Sequence, residues 1–276
     1  MSGSNAAGPV AFIGGGNMAS AIIGGLIDQG MAPSALLVVE PFEQARAQLK
    51  KQFGLQASEA ATDALKSCRT VVWAVKPQTF KEAAAPVAAF TRDALHLSVA
   101  AGIRSDSVGR WLGAARVARA MPNTPALVGK GMTGLYAGPA VGPADRADVE
   151  ALLGPTGDLL WFEREEQLDA VTALSGSGPA YVFYFLEAMV KAGTQMGLSE
   201  SQARQLAVAT FSGASALASS SGDSLETMRQ RVTSKGGTTY AAITAMDEGG
   251  VQAAFVKAME AARRRADEMG QEFGRL

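Results

Sequence analysis

Three consecutive glycines, Gly14, Gly15 and Gly16 in FIGGGNMA, are the first residues whose type and spacing could do chemistry. With Ala19 they read G-x-G-x-x-A, after the apolar run PVAFI and before a helix-patterned stretch, the context of a dinucleotide-binding turn. Gly14 permits a tight turn and Gly16 lets the backbone approach a pyrophosphate. Ala19 allows close helix–strand packing, and the helix start stabilises the anion. The next apolar run, Leu36–Glu40, ends in a carboxylate 24 residues after Gly16. Glu40 is placed to accept from ribose hydroxyls and to repel a 2′-phosphate, which suggests NADH; as an alternative it is an exposed loop acid. Arg46, just beyond, could serve a phosphate instead, so NADH against NADPH stays open.

Other candidates follow later apolar runs. AVKP, residues 74–77, ends one of them, and ligands of open α/β sheets lie beyond the carboxyl ends of strands. Lys76 then faces the cofactor crevice or is a solvent lysine. VAAG at 99–102 and MPNTP at 121–125 are small or turn-rich stretches suited to close approach by a flat ring. The one histidine, His96, sits inside ALHLSV and reads as a satisfied core residue. The chain thus offers no obvious general base for oxidising an alcohol, and it has no Tyr-x-x-x-Lys spacing. A protonated imine already carries its proton and charge, so its reduction needs positioning more than acid–base groups.

VTSKGGTT, residues 232–239, puts two glycines and four hydroxyl residues at a helix start. Such a segment presents free backbone N–H groups reinforced by the helix dipole, and Ser234 and Thr239 add hydroxyls; one carboxylate fits there without an arginine. Taken alone, the segment reads rather as an interhelical turn with a hydroxyl cap than as a site. SGSGPAY, with Ser175, Ser177 and Pro179, reads as the end of one helix and the capped start of the next.

The elements that must hold these residues change along the chain. Strands are expected at Val10–Gly14, Leu36–Glu40, Thr70–Val75, Ala94–Ala100, Arg116–Met121, Thr133–Ala137 and Leu159–Phe162. Helical lengths such as Asn17–Gln29, Glu43–Phe53, Phe80–Phe90 and Asp145–Leu153 separate them. That alternation predicts βαβ units on a mostly parallel sheet, a Rossmann-type α/β domain over residues 1–163. From residue 164 to 276 only helices are expected: Ala180–Met196, Ser199–Ser219 with a Ser199/Gln202 capping box, Ser224–Val232, Thr239–Glu248 and Val251–Phe273. LAVATFSGASALASSS is nearly free of charge, so its helix is buried all round, within its domain or in a subunit interface. An obligate homo-oligomer follows.

Composition bounds the partners. The formal net charge of −1 argues against nucleic acid, and the basic run Arg263–Arg265 has acids one turn away, as on a solvated helix face. No apolar run reaches the ~18 residues of a membrane span. MSGSNAAGP lacks the pattern of a signal peptide. Cys68 is the single cysteine, which fits a reducing, cytoplasmic setting. No metal is expected.

FIGGGNMA, AVKPQ, DAVTALSGSGPAYVFYFLEAM at 169–189 and VTSKGGTTYAAITAMDEGG at 232–250 together resemble pyrroline-5-carboxylate reductase, in order and over nearly the whole chain. The resemblance implies a Rossmann domain followed by an all-helical dimerisation domain, with interlocked homodimers assembling into larger rings, often decamers. It implies reduction of the cyclic imine 1-pyrroline-5-carboxylate to L-proline by NADPH or NADH. Ile13, Gly14, Gly15, Gly16, Asn17 and Met18, with Ala74, Val75, Lys76 and Pro77 and with Val99, Ala100 and Ala101, match the family's cofactor contacts. Ser234, Gly236, Gly237, Thr238 and Thr239 match the loop that holds the substrate carboxylate, and Thr239 matches the threonine near the ring nitrogen, the expected catalytic residue. Each site is expected to combine one chain's Rossmann domain with the partner's loop. Two positions depart from the family: Ala61, and Arg231 before VTS, stand where many relatives carry asparagine.

Two other readings compete. A β-hydroxyacid dehydrogenase would need a Lys-x-x-x-Asn pair, but Lys191 is followed four residues on by Gln195. A nucleotide-binding regulator without turnover would leave VTSKGGTT without purpose.

Overall fold

The structure is a computed structural model that describes residues 8–274; residues 1–7, most of the stretch read above as lacking a leader pattern, lie outside the described residues. The chain divides into two compact units. One holds the chain up to Ser177 together with the residues from Ala262 onward, and the other is Gly178–Ala261.

In the first unit the elements run β1 (Val10–Ile13), α1 (Asn17–Asp28), β2 (Leu36–Val39), α2 (Glu43–Phe53), β3 (Thr70–Trp73), α3 (Phe80–Thr91), β4 (Leu95–Ser98) and α4 (Ser105–Leu112). There follow β5 (Val117–Met121), β6 (Gly131–Ala137), α5 (Pro143–Leu153), β7 (Gly157–Phe162) and α6 (Gln167–Val171). The seven strands form one sheet in the order β2-β1-β3-β4-β5-β6-β7. β1 to β5 are parallel, β6 is antiparallel to β5, and β7 is parallel to β6. The reversal follows from length. Between Met121 and Gly131 there is only a short 3₁₀ turn, Thr124–Val128, and a parallel return needs a crossover of a dozen or more residues.

All seven strands stand where the apolar runs put them. α4 and α6 are additions; at eight and five residues both are short. Each strand of a doubly covered sheet buries both faces. On β1, Val10 and Phe12 join one core with Ile22, Ile23 and Val72. Ala11 and Ile13 join the opposite one with Trp73, Phe80, Ile103 and Phe273.

His96 on β4 is fully buried. Trp73 Nε1 donates to its Nδ1 at 3.0 Å, which leaves Nε2–H to donate to the Thr91 carbonyl at 2.9 Å. The ring is a satisfied core histidine and is held neutral. Burial, helped by nearby Arg116, lowers its pKa from 6.5 to about 4, against a smaller opposing effect of the Thr91 bond. A folded value below the unfolded one means that this stabilisation is complete above pH 6.5 and is lost as pH falls through about 4. The gap is worth about 3 kcal/mol in full, of which about 2 kcal/mol is gone at pH 5. Denaturation at pH 7.5 and 5.0 should show that loss, and a His96→Gln variant should not. An equal loss in the variant would assign the effect to other groups.

The second unit contains α7 (Gly178–Gln195), α8 (Glu200–Ser220), α9 (Leu225–Arg231), α10 (Thr238–Glu248) and the first half of α11 (Val251–Gly274). Ser199 caps α8 as its sequence implies: Gln202 N donates to Ser199 Oγ at 3.2 Å and Ser199 N to Gln202 Oε1 at 3.0 Å. α7 and α8 touch closely at Gly193, where a Cβ would lie 2.8 Å from that of Ala203. Phe255 of α11 packs edge-on against Tyr181 and Phe185, both at 5.5 Å between centroids. Within the chain, however, α8 buries only Ala203 and Ala207. Leu206, Val208 and Leu217 are exposed, as are Val182, Phe183 and Tyr184 on α7. Of the two explanations for so apolar a helix, burial within the domain is excluded. Among the described residues no helix is long and apolar enough to cross a membrane.

Candidate active site

The first unit gathers its candidate residues at the carboxyl ends of β1 to β4. Ile13 ends β1; Gly14 and Gly15 turn the chain; Gly16 is the N-cap of α1, and Asn17 and Met18 open that helix. Gly14 has a φ of +94°, and a Cβ there would sit 2.6 Å from the Ala74 carbonyl oxygen, so only glycine fits. Ala74, Val75, Lys76 and Pro77 follow β3, with Lys76 exposed. Val99, Ala100 and Ala101 follow β4. Gly14 N donates to Val39 O at 2.8 Å, Ala74 N to Ile13 O at 2.8 Å and Val99 N to Trp73 O at 3.1 Å, which knit these turns into one rim.

That rim fits a dinucleotide. A Cβ on Gly16 would meet nothing within 4 Å, so the space beside it is open, and no side chain caps the amides of α1. Glu40 is placed differently from the exposed loop acid offered as an alternative above. It is 5% exposed, with Oε2 accepting from Gly15 N at 2.7 Å and Oε1 from Phe42 N at 2.9 Å. Its carboxylate thus braces the glycine turn. Arg46 donates to the carbonyls of Glu40 and Pro41 at 2.9 and 2.6 Å, beside it.

In the second unit, the residues 232–239 join α9 to α10. Thr233 Oγ1 donates to Arg229 O at 2.6 Å, which closes α9, and Gly237 N donates to Ser234 O at 3.0 Å. Gly237 is the N-cap of α10 and has no side chain to offer, so no hydroxyl caps this helix. The first intrahelical bond is Ala241 N to Gly237 O at 3.1 Å, and the amides of Thr238, Thr239 and Tyr240 precede any intrahelical acceptor. Ser234, Thr238 and Thr239 are all exposed. Free amides, two kinds of hydroxyl and the positive end of an eleven-residue helix are donors of the kind an anion needs.

Comparison with known proteins decides what these two assemblies belong to. The family model described as pyrroline-5-carboxylate reductase dimerisation matches residues 165–269, and that described as NADP oxidoreductase, coenzyme F420-dependent, matches residues 9–102. The pyrroline-5-carboxylate reductase of Pseudomonas aeruginosa is 42% identical over 269 residues, covering 96% of this chain and 98% of that protein. That of Pisum sativum is 35% identical, covering 94% of each. A solved pyrroline-5-carboxylate reductase from Coxiella burnetii superposes with a TM-score of 0.87 at 36% identity, over 95% of this chain and 98% of that one. A Plasmodium falciparum pyrroline carboxylate reductase, solved with NADP bound, superposes with a TM-score of 0.86 at 25% identity, over 95% of this chain and 98% of that one. This chain belongs to the pyrroline-5-carboxylate reductase family.

As a member of that family it is an NAD(P)H-dependent oxidoreductase, and its dimerisation region makes it a homo-oligomer. The exposed apolar side chains of α7 and α8 offer a surface suited to such an assembly. Of the departures, Ala61 packs against the core beside Leu65, and Arg231 ends α9 in an ion pair with Asp223.

Three features of this reductase escaped the sequence. First, Arg119 on β5 is buried and pairs with Glu165 at 2.8 Å. Burial lowers its pKa, opposed by that carboxylate, which keeps the guanidinium charged. Glu165 also accepts from Ser105 N and Oγ, at 2.6 and 2.8 Å. Arg104 pairs with Asp169 at 2.6 Å. An arginine inside the otherwise apolar strand VARAM was the available signal. Second, Asn123 in MPNTP donates to Ser175 O at 3.0 Å and accepts from Met132 N at 2.9 Å, so it ties that loop to SGSGPAY. Third, the helix break at SGSG is a π-helical turn, Thr172–Gly176. Ser175 does not cap the next helix; its Oγ donates back to Val171 O at 3.1 Å.

Proposed function

We propose that this chain reduces 1-pyrroline-5-carboxylate to L-proline, the last step of proline biosynthesis, with the substrate carboxylate in the 234–239 loop and Thr239 at the ring nitrogen. The observation that carries the substrate end is the uncapped start of α10, where three consecutive amides and no side chain await an anion. Ser234 and Thr238 add hydroxyl donors, and Gly236 and Gly237 keep the approach clear of side chains. When bound, the reduced nicotinamide supplies the hydride that makes the new C–H bond at the imine carbon. The iminium nitrogen keeps its proton and gains the electron pair of the broken C=N π bond, and the Thr239 hydroxyl holds that nitrogen in place. No general base is required, which accords with a buried, neutral His96.

At the cofactor end, Gly14, Gly15, Gly16, Asn17 and Met18 cradle the pyrophosphate at the start of α1. Ile13, Ala74–Pro77 and Val99–Ala101 line the remaining rim. Glu40, braced against Gly15, presents its remaining lone pairs to the ribose. Residues 1–163 act as the dinucleotide-binding domain and 164–276 as the helical dimerisation and substrate domain; the end of the sheet at Phe162 and the family match from residue 165 support that boundary, while residues up to Ser177 and from Ala262 onward pack in the same compact unit as the sheet. Dimers interlock through the helical domains, so each site joins one chain's rim to the partner's loop, and they assemble further, up to decamers. The exposed apolar faces of α7 and α8 support an obligate dimer, and the single cysteine supports a reducing, cytoplasmic setting.

Comparing pyrroline-5-carboxylate with 1-pyrroline, which lacks the carboxylate, tests the cradle. Two charge-assisted bonds at about 1.5–3 kcal/mol each predict a kcat/KM at least about a hundredfold lower for 1-pyrroline. Equal efficiency would reject the loop as the carboxylate site.

A further inference from the structure

We infer that the last turns of α11 position the cofactor-facing loop after β4, so that residues near the C-terminus tune how the nicotinamide half of the dinucleotide is held. This rests on the dinucleotide reading above, in which Val99–Ala101 line the rim.

The contacts lie within the first unit. Gly102, at φ +80°, closes the loop; a Cβ there would come 3.0 Å from Met269 Cβ and 3.3 Å from Gly270 N. The fit is mutual, because a Cβ on Gly270 would lie 2.9 Å from the Gly102 carbonyl oxygen and 3.4 Å from Arg104 Nε. Two glycines therefore let a helix lie on a loop backbone with no side chain between them. Charge holds the same place: Arg104 Nη2 reaches Asp169 at 2.6 Å and Asp267 of α11 at 3.6 Å. One helical turn further, Ser107 Oγ donates to Gly274 O at 3.3 Å. Phe273 completes the grip, buried in the core that contains Ala100 and Ile103. The loop that follows β4 has no strand or helix of its own from Val99 to Arg104, so its position is set by what packs on it.

ADP serves as a probe of the glycine turn and the β2 end alone, because it lacks the half that would reach residues 99–102. Binding of NADPH, NADH and ADP is compared by calorimetry in the wild type, Gly270→Ala and Arg104→Lys, with KM for each substrate. Gly270→Ala should weaken the preferred dinucleotide at least fivefold and raise its KM, while ADP binding changes less than twofold. Arg104→Lys, which keeps the charge but loses the fork, should act in the same direction by about threefold, and it decides the matter if Gly270→Ala does not fold. Equal weakening of ADP and dinucleotide, or no change in either, overturns the inference. A wild type that binds neither ADP nor dinucleotide overturns the dinucleotide reading and this inference with it.

Discussion

Replacing Gly16 by Val should abolish measurable dinucleotide binding while leaving the fold in place. The side chain would enter space that is open now, beside the uncapped amides of α1, where a pyrophosphate would lie. Gly16 sits in extended backbone, φ −74° and ψ −169°, which valine tolerates, so stability should fall by no more than about 1 kcal/mol from a poorer N-cap. Losing two charge-assisted phosphate contacts at about 1.5–3 kcal/mol each lowers affinity at least about a hundredfold. Calorimetry with NADPH and NADH, beside a thermal melt, separates the two effects. Gly14→Ala is the contrasting control: its Cβ would collide with the Ala74 carbonyl, and it should lose stability first. Undiminished binding by Gly16→Val would show that the pyrophosphate does not lie at this turn.

The second large effect is expected at Thr239. Its hydroxyl stands on the exposed first turn of α10, with no bond that the fold depends on. Thr239→Ala should therefore leave the melting temperature and dinucleotide affinity near wild type. It should lower kcat by about ten- to a hundredfold, the worth of one hydrogen bond to a charged group. Thr239→Ser, which keeps the hydroxyl, should recover most of the rate. A protein that binds dinucleotide only to sense it would show no such pattern. Unchanged kcat in Thr239→Ala would remove the residue from the reaction.

These expectations depend on features that differ in how openly the sequence displays them. The central strands β1, β3 and β4 were legible because strands covered on both faces need continuous apolar runs, and the glycines of FIGGG mark their own turn. The direction of β6 was not legible from alternation alone; it depends on the length of the connection before it. Glu40 was legible as the acid after β2, but its two bonds to backbone amides depend on how closely the turn returns, which no residue type encodes. Nor does spacing show that Arg104, Arg119, Glu165, Asp169 and Asp267 converge. They come from β5, α6, α11 and two loops, and only packing brings them together. VTSKGGTT is the intermediate case. As residues it fitted a hydroxyl-capped turn better than an anion site, and the structure shows Gly237, with no hydroxyl, at the N-cap of α10.

The most direct test of the account is a steady-state assay of the purified chain with pyrroline-5-carboxylate and, separately, NADH and NADPH. At least one of the two should be oxidised at a rate that depends on the imine, with L-proline formed in equal amount. Dinucleotide that binds but is not oxidised in the presence of the imine would contradict it.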